Sequence, residues 1–355
     1  MPSKSRRAPW RFVDLFAGCG GLSWGFREAG FTPVAAVEMD RDAAATHAVN
    51  FGGDMFAGDI ADWLAGSPPK AEIVVGGPPC QGFSALGTRD PDDPRNELWR
   101  RYMDALHAVE PVFFVLENVP QFLQSKQFEM LQRQTTKRGR LSEYRLEAHV
   151  LDASDYGVPQ ARRRAVVIGR PAAMDPLGPP PILDGPKRTV REVFATIDDP
   201  VRGTSLPAST TEVLGQVVPG IFKMRDLHVT RNPTELSRNR YRAIPEGGNR
   251  FDLPDELKAP CWRSHTSGSG DVMGRLRWDE PSVTIRTEFY KPEKGRYLHP
   301  VAHRPITHLE AAVLQTFPED FQWCGNKVSV ARQIGNAVPP LLGRSIACHL
   351  AKYRT

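Results

Sequence analysis

The chain has 355 residues, 40% of them hydrophobic and 25% charged, with 32 Pro and 30 Gly. These proportions are globular and rich in turns, which excludes a disordered or collagen-like chain. Lys plus Arg number 46 against 41 Asp plus Glu, a surplus that permits a polyanionic partner without requiring one.

Cys19, Cys80, Cys261, Cys324 and Cys348 stand far apart and form no C-x-x-C pair. Neither a zinc site nor a disulfide framework is expected, and the odd count favours a reducing compartment. No apolar run approaches the roughly 18 residues of a membrane span. The basic start, residues 1–7, leads into no signal-like apolar segment. A cytoplasmic protein is expected.

The first half alternates strand and helix patterns. A strand is expected over 12–16, breaking at Ala17-Gly18-Cys19-Gly20-Gly21 into a helix that runs to Gly30. A second strand over 34–37 precedes a helix over 41–51, and a third strand ends near Asp59. A fourth, over 73–75, closes on Gly76-Gly77-Pro78-Pro79; a helix over 97–109 and a fifth strand over 112–116 follow. Two more strands are read over 145–151 and 165–168, around the turn Asp155-Tyr156-Gly157-Val158-Pro159. This alternation predicts an α/β fold with a doubly wound, mostly parallel Rossmann-like sheet. Beyond a Pro- and Gly-heavy linker at 176–186, residues 187–271 show little periodicity. Patterning returns with a strand-like 282–286, a helix over 307–315 and a last helix after Pro339-Pro340. A discontinuous domain, 1–183 plus 272–355, with a smaller irregular insert at 184–271, is the simplest organisation.

Ligands of doubly wound sheets bind at the carboxyl ends of the strands. Five strand ends here carry unusual residues: the glycine turn, Glu38-Met39-Asp40, Asp59-Ile60, Pro78-Pro79-Cys80-Gln81 and Glu117-Asn118-Val119. The turn lets backbone approach a nucleoside-type ligand at a helix N-terminus. It is not the dinucleotide fingerprint G-x-G-x-x-G, because Ser23 stands where the third Gly belongs. Glu38 is placed to hold ribose hydroxyls and Asp59 to accept from an exocyclic amine; each alone reads as a solvated loop acid. Met39 reads equally as a soft surface for an adenine ring or as a packed core residue. Cys19, Cys324 and Cys348 read as small buried hydrophobes. Cys80 follows a rigid Pro-Pro lead-in at a strand end, which suits a nucleophile, with Glu117 on the adjacent strand end as its acid.

As a set these residues identify the chain as similar to the DNA cytosine methyltransferases that modify ring carbon 5 with S-adenosylmethionine. The resemblance is carried by Asp14-Leu15-Phe16-Ala17-Gly18-Cys19-Gly20-Gly21, Gly77-Pro78-Pro79-Cys80-Gln81-Gly82-Phe83-Ser84 and Glu117-Asn118-Val119. It continues through Asp155-Tyr156-Gly157-Val158-Pro159-Gln160-Ala161-Arg162-Arg163-Arg164, Gln315-Thr316-Phe317-Pro318 and Gln333-Ile334-Gly335-Asn336-Ala337-Val338-Pro339-Pro340. It covers residues 11–169 and about 275–350.

The resemblance implies that Phe16, Gly18, Gly20, Gly21, Glu38, Met39, Asp59, Ile60, Pro79, Leu98, Asn336 and Val338 form the cofactor pocket. It implies that Cys80 attacks carbon 6 of a flipped-out cytosine, that Glu117 holds and protonates the ring nitrogen, and that Arg162 and Arg164 steady the base and the catalytic loop. No metal is implied. Taken alone, Arg162-Arg163-Arg164 reads as a solvated charge run and Gly335-Asn336 as a helix-start turn. The loop 81–97 is a candidate lid, with Gln81 and Ser84 expected to meet DNA.

The chain departs from the family where Leu309 and Val313 replace two usual arginines. Sequence recognition is expected in the insert, through some of Arg225, Arg231, Arg238, Arg240, Arg242, Arg250 and Arg263; for any single one, contact with phosphate or solvent is the plainer reading. The expected partner is double-stranded DNA, met by a monomer that serves as the modification enzyme of a restriction–modification system with an independently acting endonuclease. The competing readings are an RNA cytosine-5 methyltransferase and a non-catalytic DNA-binding paralogue. The insert is richer in Arg than in aromatics, which favours duplex DNA.

Overall fold

The computed structural model describes residues 9–52, 54–79, 94–197, 200–264 and 267–354. They divide into two compact units, one formed by Met1–Asp152, Arg163–Ile182 and Leu342–Thr355, the other by Ala153–Arg162 and Leu183–Leu341.

The first unit runs β1 (Arg11–Leu15), α1 (Gly21–Glu28), β2 (Thr32–Glu38), α2 (Arg41–Phe51), β3 (Met55–Ala57), α3 (Ile60–Ala65), β4 (Ile73–Gly76), α4 (Pro94–Val109), β5 (Phe113–Asn118), α5 (Lys126–Gln134), β6 (Tyr144–Asp152) and β7 (Arg163–Pro171). The sheet order is β3-β2-β1-β4-β5-β7-β6. The first five strands pair in parallel, and β7 is antiparallel to both β5 and β6. The apolar run Phe113, Phe114, Val115 and Leu116 is 0% exposed, as suits a strand covered on both faces. Each such side chain contributes about 1.5–3 kcal/mol on burial, and Phe114→Ala is expected to cost about 3–5 kcal/mol.

Strand order reverses between β1 and β4, which opens a crevice at their carboxyl ends. The acids at two strand ends also start helices. Asp40 accepts from Ala43 N at 3.1 Å to cap α2, and Asp59 accepts from Ala61 N at 2.8 Å to cap α3.

The second unit holds α6 (Val190–Phe194), the hairpin β8 (Thr210–Val213) and β9 (Gln216–Pro219), α7 (Glu235–Ala243), α8 (Pro260–Arg263), α9 (His308–Leu314) and α10 (Lys327–Asn336). The last helix, α11 (Pro340–Ala351), belongs to the first unit from Leu342 onward. A small core of Tyr241, Ile244, Leu253, Met273 and Leu298 is buried in the second unit. Two guanidiniums brace it. Arg275 donates to the carbonyls of Tyr241, Ile244, His299 and Ala302. Arg296 donates to those of Gly247, Gly248, Gly270 and Arg275.

Several sequence expectations change here. Cys19 and Cys324 are buried as expected, but Cys348 is exposed. The strand over 282–286 does not form; only Ser282 bridges, to Gln160. Its amides are taken elsewhere, Ser282 N by Pro159 O at 2.9 Å and Ile285 N by Gln160 Oε1 at 2.9 Å. Gly335 and Asn336 end a helix rather than start one, since α10 is capped at its start by Asn326, whose side chain accepts from Val328 N and Ser329 N. The aperiodic insert contains regular elements of four to nine residues, too short for a periodic signal. The second compact unit joins Ala153–Arg162 to Leu183–Leu341, and within it Arg275 and Arg296 tie 275–302 to the insert.

Candidate active site

At the carboxyl end of β1 the chain leaves the sheet through Phe16, which has φ +58°. That conformation is uncommon outside glycine and is typical of functional turns. Gly18 N then donates to Glu38 Oε2 at 2.9 Å, while Glu38 Oε1 accepts from Asp40 N at 2.7 Å. The Glu38 carboxylate thus joins the ends of β1 and β2. Burial pushes its pKa up against the two amide hydrogen bonds.

The other expected cofactor residues differ in exposure. Phe16 and Leu98 pack against the same hydrophobic core. Met39 is 66% exposed, so the packed-core reading of it does not hold. Asp59 is exposed, with Oδ1 committed to its helix cap, while Ile60 is buried. Pro79 is exposed. No atom lies within 4 Å of the place a Cβ would take on Gly18. Open space over a glycine, beside a desolvated carboxylate and an exposed thioether, fits a nucleoside with a polar ribose edge.

The second half of the site lies on β4, β5 and β7. Glu117 is 8% exposed on β5. Its Oε1 meets Arg164 Nε at 2.8 Å, across the pairing of β5 with β7. A Cβ on Gly77 would lie 3.2 Å from Glu117 Oε2, so glycine leaves that oxygen room beyond β4. Asn118 Nδ2 donates to Pro78 O at 2.9 Å, anchoring the end of the segment that leads to Cys80. Cys80, Gln81 and Ser84 lie outside the described residues, as does most of the loop read as a lid.

The remaining expected residues belong to the second unit. Arg162 is 1% exposed and donates to Ile285 O at 3.0 Å and Gly335 O at 3.1 Å. Arg162 and Arg164 therefore do different work, the first on backbone carbonyls and the second on a carboxylate. Asn336 is exposed at the end of α10 and Val338 is buried. Leu309 is 7% exposed on α9, and the neighbouring Glu310 is met by both terminal nitrogens of Arg304, at 2.7 and 2.6 Å.

The insert arginines differ as well. Arg240 donates to Leu257 O at 2.7 Å and stacks over Trp262. Arg238 and Arg242 share Glu235, and Arg231 pairs with Glu293. Arg250 donates to Ser267 O and lies over the Phe251 ring. Arg225 and Arg263 are exposed.

Two features were missed in the sequence. One is the Asn118 anchor, which only the pairing of β4 with β5 reveals. The other is a buried chain of polar groups, Asp14, Ser23 and His47, for which the missing third glycine at Ser23 was the available signal.

A model of the family described as C-5 cytosine-specific DNA methylase matches residues 10–352. The chain is 32% identical to the type II methyltransferase M1.HphI of Haemophilus parahaemolyticus, over 97% of this chain and 87% of that protein. It is 33% identical to M.XorII of Xanthomonas oryzae pv. oryzae, another type II methyltransferase, over 96% of this chain and 84% of that one. A prophage-encoded E. coli chain of solved structure superposes with a TM-score of 0.70 at 24% identity, covering 97% of this chain and 99% of that one.

Proposed function

This chain belongs to the C-5 cytosine-specific DNA methylase family, and from that premise we propose that it methylates carbon 5 of a flipped-out cytosine in a specific double-stranded DNA sequence, using S-adenosylmethionine, as the modification enzyme of a restriction–modification system. The observation that carries the reading is the Glu117–Arg164 contact on the strand beside the Asn118-anchored segment that enters Cys80.

The chemistry requires an activated ring, because carbon 5 of cytosine is a poor nucleophile. Cys80, as thiolate, adds its sulfur to carbon 6, which turns the ring into an enamine with electron density at carbon 5. Glu117 holds the ring nitrogen and offsets the negative charge that develops as the sulfur adds. Arg164 fixes Glu117 through Oε1 and leaves Oε2 toward Gly77. Arg162 acts at one remove, by holding the carbonyls of Ile285 and Gly335.

When bound at the glycine turn, S-adenosylmethionine would supply an electrophilic methyl group to carbon 5 and leave as S-adenosylhomocysteine. Loss of the carbon 5 proton to a base, with departure of the Cys80 sulfur from carbon 6, then restores the aromatic ring. Glu38 and Asp59 are the acids assigned to its ribose and exocyclic amine. Phe16, Met39, Ile60, Pro79 and Leu98 are assigned to its apolar surfaces, and Gly18, Gly20, Gly21, Asn336 and Val338 to its polar chain. In a duplex, stacking covers both faces of the ring against attack at carbon 6 and pairing occupies its ring nitrogen, so the cytosine has to leave the helix.

The insert, 184–271, is assigned to target recognition, and Gln81 and Ser84 are assigned to DNA contact. Exposed Arg225 is the strongest base-reading candidate, Arg231, Arg238 and Arg242 are phosphate candidates, and Arg240 is a brace. We assign the protein to the cytoplasm as a monomer, acting independently of a cognate endonuclease. Among the described residues no helix is long and apolar enough to cross a membrane.

Radiolabelled methyl transfer to duplex DNA and to transfer RNA, followed by bisulfite sequencing, tests the reading. Labelled 5-methylcytosine at one DNA sequence is the expected product. Label in transfer RNA alone, or in neither, overturns it in favour of the RNA enzyme or the non-catalytic paralogue.

A further inference from the structure

Beneath the glycine turn lie three buried polar side chains that the chemistry above does not use. Ser23, on the first turn of α1, donates its hydroxyl to Asp14 Oδ2 at 2.6 Å. His47, on α2, places Nε2 3.2 Å from the same Ser23 oxygen. Asp14, Ser23 and His47 are 1%, 0% and 2% exposed. Burial, with the charge of Arg27 adding to it, pushes the His47 pKa down to about 3, so the ring is neutral. The Ser23 proton is committed to Asp14, which leaves Nε2–H to donate to the Ser23 oxygen. Donation thus runs one way, from α2 through α1 to β1.

The three residue types are those of a hydrolytic triad, but the order is different. Serine sits in the middle and out of reach of solvent, with its proton on the carboxylate side, so it is not a nucleophile. The place of the chain in the fold points to another use. Gly20 has φ +96°, and a Cβ there would lie 2.4 Å from the Phe51 ring and 2.9 Å from His47 Cδ2. The turn rests directly on these two rings, which stack at 4.4 Å. The Nε2 edge of the His47 ring, whose bonded neighbour Cδ2 lies under Gly20, is fixed by Ser23, and Ser23 by Asp14.

We propose that Asp14, Ser23 and His47 form a positioning relay for the cofactor, setting the height of the glycine turn so that its amides and the Glu38 carboxylate meet S-adenosylmethionine together. The proposal rests on the cofactor reading above. It accounts for the departure from G-x-G-x-x-G, because a glycine at position 23 would leave Asp14 buried without its hydroxyl donor. Burial pushes the Asp14 pKa up to about 7 and Glu38 adds to the rise, while the Ser23 hydrogen bond opposes it. Loss of the hydroxyl therefore disturbs the carboxylate pair as well as the ring.

Calorimetric affinities for S-adenosylmethionine and S-adenosylhomocysteine, DNA affinity, and kcat at saturating cofactor test the relay in Ser23→Ala, His47→Ala, His47→Gln and Asp14→Asn. Ser23→Ala and His47→Ala are expected to weaken both cofactor affinities by about tenfold, the scale of one buried hydrogen bond. DNA affinity and saturated kcat should stay within about twofold of the native enzyme in both, a change of less than one hydrogen bond. His47→Gln, whose amide N–H can reach Ser23, should recover most of the loss, and Asp14→Asn, which keeps an acceptor, should lose little. If His47→Ala does not fold, Ser23→Ala and His47→Gln decide the question. Native cofactor affinity in Ser23→Ala overturns the relay, as does an equal fall in kcat and affinity that His47→Gln does not rescue. A native enzyme that binds no S-adenosylmethionine overturns the proposed function itself.

Discussion

Asn118 Nδ2 donates to the carbonyl of Pro78 at 2.9 Å, while Asn118 Oδ1 accepts from Val119 N at 2.8 Å. One side-chain amide therefore fixes both its own strand end and the neighbouring one, two residues before Cys80. Cys80→Ala should abolish methyl transfer and leave cofactor affinity native, and only the native enzyme should form a covalent complex on DNA containing 5-fluorocytosine. Asn118→Ala should slow single-turnover methylation by about 10²-fold, the scale of a 1 Å misplacement. Rapid transfer by Cys80→Ala refutes the nucleophile, and native transfer by Asn118→Ala refutes the anchor.

Glu117→Gln keeps the shape and removes the transferable proton, so single-turnover methylation should fall by about 10²–10⁴-fold. Arg164→Ala should lower the same step, because it frees Glu117 Oε1. Arg162→Ala, which strips two backbone carbonyls of their donor, should lower the melting temperature as well. A thermal scan beside the kinetics separates the two arginines.

Glu38→Ala and Asp59→Ala should both weaken S-adenosylmethionine binding, each within about 1–3 kcal/mol. The losses should be unequal. Glu38 also accepts from Gly18 N and Asp40 N, whereas Asp59 is exposed and contacts only its helix cap among the described partners. Titration calorimetry giving equal losses would contradict this ranking.

An alanine scan of the insert, scored by genome-wide methylation patterns, should separate readers from braces. Arg225→Ala should relax one position of the recognised site, at about 1–3 kcal/mol. Replacing Arg231, Arg238 or Arg242 should weaken all sequences alike and lower the salt dependence. Arg240→Ala should reduce stability, through the lost Leu257 carbonyl contact and Trp262 stacking. A scan that never changes the recognised sequence moves the reader out of 184–271.

Stability should depend on pH through four buried groups, His47, His299, His308 and Asp14. His47 and His308 are held neutral by burial, with pKa values pushed from 6.5 to about 3, so their contribution is present above pH 6.5 and lost as pH falls toward 3. Each adds a slope of about 1.4 kcal/mol per pH unit within that window. Asp14 has the opposite sign. Its pKa rises from 3.8 to about 7, so its contribution is present below pH 3.8 and lost as pH rises through 7. His299, pushed by burial from 6.5 to about 4, adds to the rise above pH 4. Denaturant unfolding between pH 4 and 6 should therefore show stability rising with pH, and His47→Gln with His308→Gln should flatten that slope.

The sheet was legible because its strands are unbroken apolar runs between glycine and proline turns, as with Phe113 to Leu116. The strand ends were legible because the acids there also cap helices, as Asp40 and Asp59 do. What stayed hidden depends on partners distant in sequence. Ser282 looked like a strand until its amide was found on Pro159, and Arg162 looked solvated until its carbonyls at 285 and 335 came into contact. The Asn118 anchor and the Asp14–Ser23–His47 chain were invisible for the same reason, since hydrogen bonds between separate elements leave no periodicity.

Arg275 and Arg296 hold the second unit through main-chain oxygens. A peptide carbonyl is the same whatever side chain accompanies it, so the residues of α7 and its neighbouring loops can be exchanged without removing the acceptors that seat them. On the proposed assignment of 184–271 to target recognition, a lineage under pressure to mark a new DNA word can redraft the lettering of this segment while its mounting stays in place. The transplant experiment is direct: a foreign insert spliced between 184 and 271 should stay docked when Arg275 and Arg296 are retained, and come loose when both are alanine.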